Sequence, residues 1–149
     1  LAGGAAKVYA VDVGHGQLAW KIRNDERVVV LEKTNARYLT EKEIPEKPDL
    51  IVCDASFIGL QTVLPASMAL ADEGCILIAL IKPQFEVGKG MVGKGGVVRD
   101  PELHKQVCEK IENWLTDDMA GWKVFGLTQS PIKGPEGNIE FLIGAKYEP

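Results

Sequence analysis

Two short apolar runs, residues 50–53 and 76–81, contain no charged position, and each closes on a charged side chain, Asp54 and Lys82. Apolar runs of this length bounded by turn formers predict parallel strands buried on both faces, since neither face has to meet water. Residues 7–13 and 27–31 predict two further strands, and the first of these stops at Asp12, ahead of Gly14-His15-Gly16. Between the runs the apolar period lengthens to that of a helix. Residues 17–23 carry Leu18, Ala19 and Ile22 at helical spacing, and residues 60–71 place Leu60, Leu64 and Met68 on one face with Pro65 inside, where a kink or restart is expected. The clearest helix follows Asp100-Pro101, an N-cap and a first-turn proline, with Leu103, Val107, Ile111 and Trp114 repeating on one side. Residues 122–129 and 139–145 predict two strands joined by a Pro/Gly-rich turn, too short for a crossover, so this last pair runs antiparallel.

Strands alternating with helices and closing on a hairpin describe an α/β fold with a mostly parallel sheet and an antiparallel last strand. Open α/β sheets bind ligands at the carboxyl ends of their parallel strands. Asp54 and Lys82 leave neighbouring strands at that edge. A strand that turns back begins where the parallel ones finish, which brings Glu140 to the same rim. Asp12, at the end of another strand and before a glycine turn, suits the hydroxyls of a cofactor ribose, because a carboxylate accepts two hydrogen bonds at once. Its competing role is an ordinary helix cap. Asn35 fits either an adenine contact or an Asx turn, and spacing alone favours the turn.

Length and composition narrow the classes without choosing among them. The 149 residues fit one domain, and 46% hydrophobic with 26% charged residues exclude disordered and fibrous chains. A net charge of −4 argues against a general nucleic-acid coat while leaving room for a local basic patch. Residues 82–99 supply one: Lys82, Lys89, Lys94 and Arg99 stand against Glu86 alone, in the most glycine-dense part of the chain. This stretch reads as a mobile basic loop able to meet a phosphate backbone, or as a solvated connection. It nearly matches the phosphate-cradling G-x-x-x-x-G-K-[ST] pattern, but Gly95 replaces the hydroxyl residue and no helix follows at once. Cys53, Cys75 and Cys108 lack metal or redox spacing and read as buried thiols in a reducing, cytoplasmic setting. His15 and His104 are isolated, so no metal is expected. No apolar run is long enough to span a bilayer.

Several motifs together carry a family resemblance. They are Val11-Asp12-Val13-Gly14-His15-Gly16-Gln17-Leu18, Asp54-Ala55-Ser56-Phe57-Ile58, Lys82-Pro83-Gln84-Phe85-Glu86, Gly95-Gly96-Val97-Val98-Arg99-Asp100 and Gly137-Asn138-Ile139-Glu140-Phe141. In combination the chain resembles the TlyA/haemolysin A family of ribosomal RNA methyltransferases, whose catalytic domain is similar to the FtsJ ribose methyltransferases. The resemblance implies a Rossmann-like fold, S-adenosylmethionine as cofactor, and methyl transfer to a ribose 2′-hydroxyl of ribosomal RNA or a ribosomal subunit. Of the family's Lys-Asp-Lys-Glu tetrad, the Asp falls on Asp54, the second Lys on Lys82 and the Glu on Glu140. The cofactor positions fall on Asp12, Val13, Asn35 and Asp54, and the basic loop residues Lys89, Lys94 and Arg99 fall to RNA. The first tetrad lysine, the family's first strand and its S4-type RNA-binding domain have no counterpart in residues 1–149. The expectation is therefore an N-terminally truncated methyltransferase domain, inactive by itself, whose missing first strand lies between the strands ending at Asp12 and Asp54.

Two other function classes remain beside this one. A membrane-active haemolysin needs an amphipathic or spanning segment, and neither is found. A nucleotide-binding module would use the loop from Gly88 to Gly95. For a ribose hydroxyl, a very weak acid, the chemistry needs the oxygen lined up behind the methyl donor and its proton drawn off during attack. Lys82 would serve there either as a base or as a fixed cation.

Overall fold

A computed structural model describes residues 4–11 and 23–149 of the chain. Strands β1 (Val8–Val11) and β2 (Val28–Leu31) pair in parallel as a two-stranded sheet. Strands β3 (Leu50–Cys53), β4 (Ile76–Ile81), β5 (Trp122–Gln129) and β6 (Phe141–Tyr147) form a second sheet in the order β3-β4-β6-β5. In it β3 and β4 are parallel, while β6 runs antiparallel to both neighbours. The helices are α1 (Leu60–Ala69), the single turn α2 (Pro83–Glu86) and α3 (Pro101–Asp117).

Strand β4 is the spine of the core because its six residues are all apolar, and Leu77, Ala79 and Ile81 are fully buried. Leu60, Val63, Leu64 and Met68 of α1 pack into the same core, as do Val107, Cys108, Ile111 and Leu115 of α3. A buried leucine or isoleucine contributes roughly 1.5–3 kcal/mol over an exposed one, so these two helix faces fix the sheet end that carries the charged residues. All three cysteines are free thiols, and burial pushes Cys75 and Cys108 up to about 11.

Four expectations change. Helix α1 runs through Pro65 without a break: the proline forfeits one backbone bond, and the buried residues on either side keep the remaining turns docked. The buried stripe of α3 is His104, Val107, Cys108, Ile111 and Leu115, one residue round from Leu103 and Trp114, which sit half-buried at its flank. Strand β6 starts at Phe141, two residues later than the apolar run suggests, because Asn138 is held in a tight turn by Gly134 N–H donating to its carbonyl at 2.8 Å. Strand β3 is not buried on both faces. Ile51 is buried, whereas Leu50 is 55% and Val52 72% exposed. Among the described residues β3 pairs only with β4, so that face and one edge are uncovered. The helix expected over residues 17–23 lies outside the described residues except for Arg23.

Candidate active site

Strand register assembles the site. Parallel pairing of Cys53 with Ala79 ends β3 and β4 at one edge, and antiparallel pairing of Ile81 with Phe141 starts β6 there. Lys82 and Glu140 are the residues immediately beyond that last pair. Lys82 leaves β4 in extended conformation, and Pro83, pre-set for a first helical turn, starts α2 immediately after it.

Lys82 is only 8% exposed, an unusual state for a lysine without partners. It has two. Its Nζ lies 2.5 Å from Asp54 Oδ1 and donates to Ser56 Oγ at 3.2 Å. The Asp54 side chain is 69% exposed, so the buried ammonium is anchored by a carboxylate that still faces solvent. An ammonium has three donors, and these contacts use two of them. Glu140 is buried and accepts a hydrogen bond at Oε2 from Gln84 Nε2 at 3.1 Å.

A second set of contacts ties the loop after β3 to the turn after β4. Glu86 Oε2 accepts from Leu60 N–H at 3.0 Å, capping the first turn of α1. Burial pushes the Glu86 carboxyl above the ordinary carboxylate range, and the Leu60 N–H and the Lys110 ammonium 4.0 Å away pull it back only in part. Phe57 packs against Phe85 with ring centroids 4.9 Å apart. It is nonetheless 89% exposed and takes φ +65°, a left-handed conformation that a bulky side chain adopts only under constraint.

The cofactor positions are met unevenly. Asp12 and Val13 lie outside the described residues. Asn35 caps the 3-10 turn Ala36–Tyr38, its Oδ1 accepting from Arg37 N–H at 3.0 Å, which is the Asx turn that spacing favours. Asn35 and Asp54 are both exposed at the carboxyl ends of their strands and keep acceptor capacity, which fits a ligand rich in hydroxyl and amino donors.

The glycine-dense stretch carries local structure. It holds 3-10 turns at Lys89–Met91 and Lys94–Gly96 and buries Val97 and Val98. Buried Asn138 accepts from Val98 N–H and donates to the Gly96 carbonyl, both at 3.0 Å. His104 Nε2 lies 2.8 Å from the Val98 carbonyl. Lys94 and Arg99 are exposed, and Arg99 Nη1 donates to the Lys94 carbonyl at 3.1 Å. The N–H groups of Met91, Gly93 and Gly96 bond within the loop, α2 separates it from β4, and the next helix begins only at Pro101. A phosphate cradle needs such amides pointing at the ligand between a strand and a helix, so the nucleotide-module alternative loses its structural basis.

Three residues of this rim escape a sequence reading. Ser56 and Gln84 are polar residues in turn-forming company, and only the strand register shows which neighbours they reach. Phe57 has an aromatic side chain after a strand-end acid as its sole signal.

The FtsJ-like methyltransferase family profile matches residues 1–147. The chain is 51% identical over 140 residues to the 16S/23S rRNA (cytidine-2′-O)-methyltransferase TlyA of Mycobacterium tuberculosis, covering 94% of this chain and 52% of that protein. It is 42% identical over 140 residues to Hemolysin A of Brachyspira hyodysenteriae, covering 93% of this chain and 58% of that one. The crystal structure of a candidate hemolysin from Lactococcus lactis superposes with a TM-score of 0.90 at 45% identity, covering 97% of this chain and 69% of that one. The chain spans about half the length of the curated relatives it matches. No helix among the described residues is long and apolar enough to cross a membrane. By fold, by motif and by identity over nearly its whole length, the chain belongs to the FtsJ-like methyltransferase family and carries its Rossmann-like fold.

Proposed function

We infer that this chain is the catalytic part of a cytoplasmic enzyme that transfers a methyl group from S-adenosylmethionine to a ribose 2′-hydroxyl of ribosomal RNA. The observation that carries the reading is the buried Lys82 ammonium, held by Asp54 and Ser56 at the rim that Glu140 shares. The named activity of the Mycobacterium tuberculosis relative supports the same substrate class. When bound, the cofactor supplies an electrophilic methyl group; Asp54 and Asn35 offer exposed acceptors to hold it, with Asp12 and Val13 assigned by motif. Lys82 has a third donor for the ribose oxygen, where it orients the nucleophile and stabilises negative charge as the oxygen–methyl bond forms and the hydroxyl proton passes to water at the solvent-facing rim. Asp54 holds the cation in place at the rim that Glu140 shares. Phe57, exposed and fixed by Phe85, offers a stacking face for an unpaired RNA base. Lys94 and Arg99, with Lys89 by sequence, supply phosphate contacts.

Among the described residues β1 and β3 each pair along one edge only, which supports one more part of this reading. A single strand from outside residues 1–149 would pair with both and cover Val52. Amides of β1 and β3 should then exchange slowly with solvent in the full-length protein; rapid exchange there would rule the strand out.

The test of the activity is methyl transfer from labelled cofactor to ribosomal RNA by the full-length protein. Lys82→Ala should lower the rate by about 10²- to 10⁴-fold, the range for a positioned charge or acid–base group. Unchanged incorporation would overturn the assignment.

A further inference from the structure

The geometry points to Gln84 as a positioning residue that, together with Gly134, sets the orientation of the Glu140 carboxylate. The inference rests on the methyl-transfer reading above and adds to it the means by which one member of the cluster is fixed. Lys82 reaches back to Asp54 and Ser56, and among the described residues no charged side chain pairs with Glu140. Its Oε2 is instead bound by the Gln84 amide at 3.1 Å, across 56 residues of sequence and inside the buried layer.

Two observations separate this from ordinary packing. First, the other amide atom, Gln84 Oε1, is buried without a hydrogen-bond partner. An unsatisfied buried acceptor is costly, and an apolar side chain of the same length would avoid that cost. Packing alone therefore gives no reason for an amide here, whereas a donor aimed at a buried carboxylate does. Second, the turn that precedes β6 lies directly on the carboxylate. A Cβ added at Gly134 would sit 2.2 Å from Glu140 Oε2 and 2.7 Å from its Cδ, so any side chain there displaces the group. Gly134 is held in that place by its N–H bond to the Asn138 carbonyl at 2.8 Å. Glu140 is thus fixed by a donor on one oxygen and by a backbone floor that only glycine allows.

The experiment compares Gln84→Met, Gly134→Ala, Glu140→Ala and the Gln84→Met/Glu140→Ala double variant in the full-length protein. Methyl transfer to ribosomal RNA, binding of S-adenosylhomocysteine by calorimetry, and urea stability are read for each. Gln84→Met should lower kcat about 10- to 100-fold, the effect of a misplaced catalytic group, with KM for RNA and cofactor affinity unchanged and only a modest fall in the urea midpoint, because the buried Glu140 Oε2 loses its donor. Gly134→Ala should show the same kcat loss by moving the carboxylate without removing its donor. In the Glu140→Ala background, Gln84→Met should add nothing. A kcat for Gln84→Met within twofold of the parent, while Glu140→Ala is impaired, overturns the inference and leaves the methyl-transfer reading intact. A further kcat loss on adding Gln84→Met to Glu140→Ala overturns it too, since Gln84 would then act elsewhere. Full activity of Glu140→Ala removes both Glu140 from the proposed cluster and the role of Gln84.

Discussion

Glu86 offers the sharpest separation of charge from hydrogen bonding in this fold. Its side chain is 5% exposed, its Oε2 accepts the Leu60 N–H at 3.0 Å, and a Cβ at neighbouring Gly59 would lie 3.0 Å from its Oε1. Glu86→Ala removes the cap of α1 and leaves a helix-start N–H without its partner, which costs about 1–3 kcal/mol. In a protein of this size or larger, that corresponds to roughly 2–12 °C in Tm. Glu86→Gln keeps an acceptor of the same reach and removes only the charge. Because burial raises the folded-state carboxyl above its reference of 4.5, folding favours the protonated form. That contribution is complete below pH 4.5 and is lost as pH rises through the raised folded-state value. The parent should therefore lose stability relative to Glu86→Gln as pH climbs from about 4.5 to 7.5, and the variant should equal or exceed the parent at the upper end. Urea titrations followed by tryptophan fluorescence at both ends of that range give the comparison, since Trp114 and Trp122 report on the core that α1 packs into. A Glu86→Gln protein as unstable as Glu86→Ala at pH 7.5 would refute the argument, because the negative charge itself would then hold α1.

Phe57→Gly should be about 1 kcal/mol more stable than Phe57→Ala, since both lack the ring and only glycine takes φ +65° freely; both should weaken RNA binding in a filter assay. Asn138→Ala should cost about 1–3 kcal/mol through the unpaired Val98 N–H and speed tryptic cleavage at Lys94, seen in the urea midpoint and a timed digest. Lys94→Ala and Arg99→Ala should each reduce the slope of log K against log salt for ribosomal RNA by about 1 without altering cofactor affinity. Cys75 and Cys108, raised to about 11 by burial, should resist a thiol reagent at pH 8 until urea unfolds the core; rapid labelling of either in the folded protein would contradict their burial.

The sequence made some of this site legible and hid the rest for identifiable reasons. Asp54 and Lys82 stand out because each interrupts an apolar strand at its end, and Glu140 joins them because a short turn forces the last strand back. Register then does what periodicity cannot. Only the pairing of Ile81 with Phe141 shows that Gln84 lies beside Glu140, and a single-turn helix is too short to announce itself by pattern. The folding of residues 88–99 was hidden for a related reason: Asn138, 40 residues from Val98, supplies the bonds that order it. Apolar residues alone made β3 look buried on both faces, but burial depends on what lies opposite, and Val52 has no cover among the described residues.

One stretch of five residues accounts for how the separate segments are held in register. Residues 82, 84 and 86 each send a polar side chain to a different place: Lys82 to Asp54 and Ser56, Gln84 to Glu140, and Glu86 to the first turn of α1. Phe85 adds the Phe57 ring, and Pro83 forces the turn that separates these directions. Each contact alone contributes on the order of 1 kcal/mol, too little to explain a fixed geometry. Because all of them radiate from one rigid turn, loosening any one lets the turn shift and weakens the others. Substitutions within 82–86 should therefore be strongly non-additive with those at Asp54 and Glu140, whereas changes to the exposed Lys94 and Arg99 should add independently.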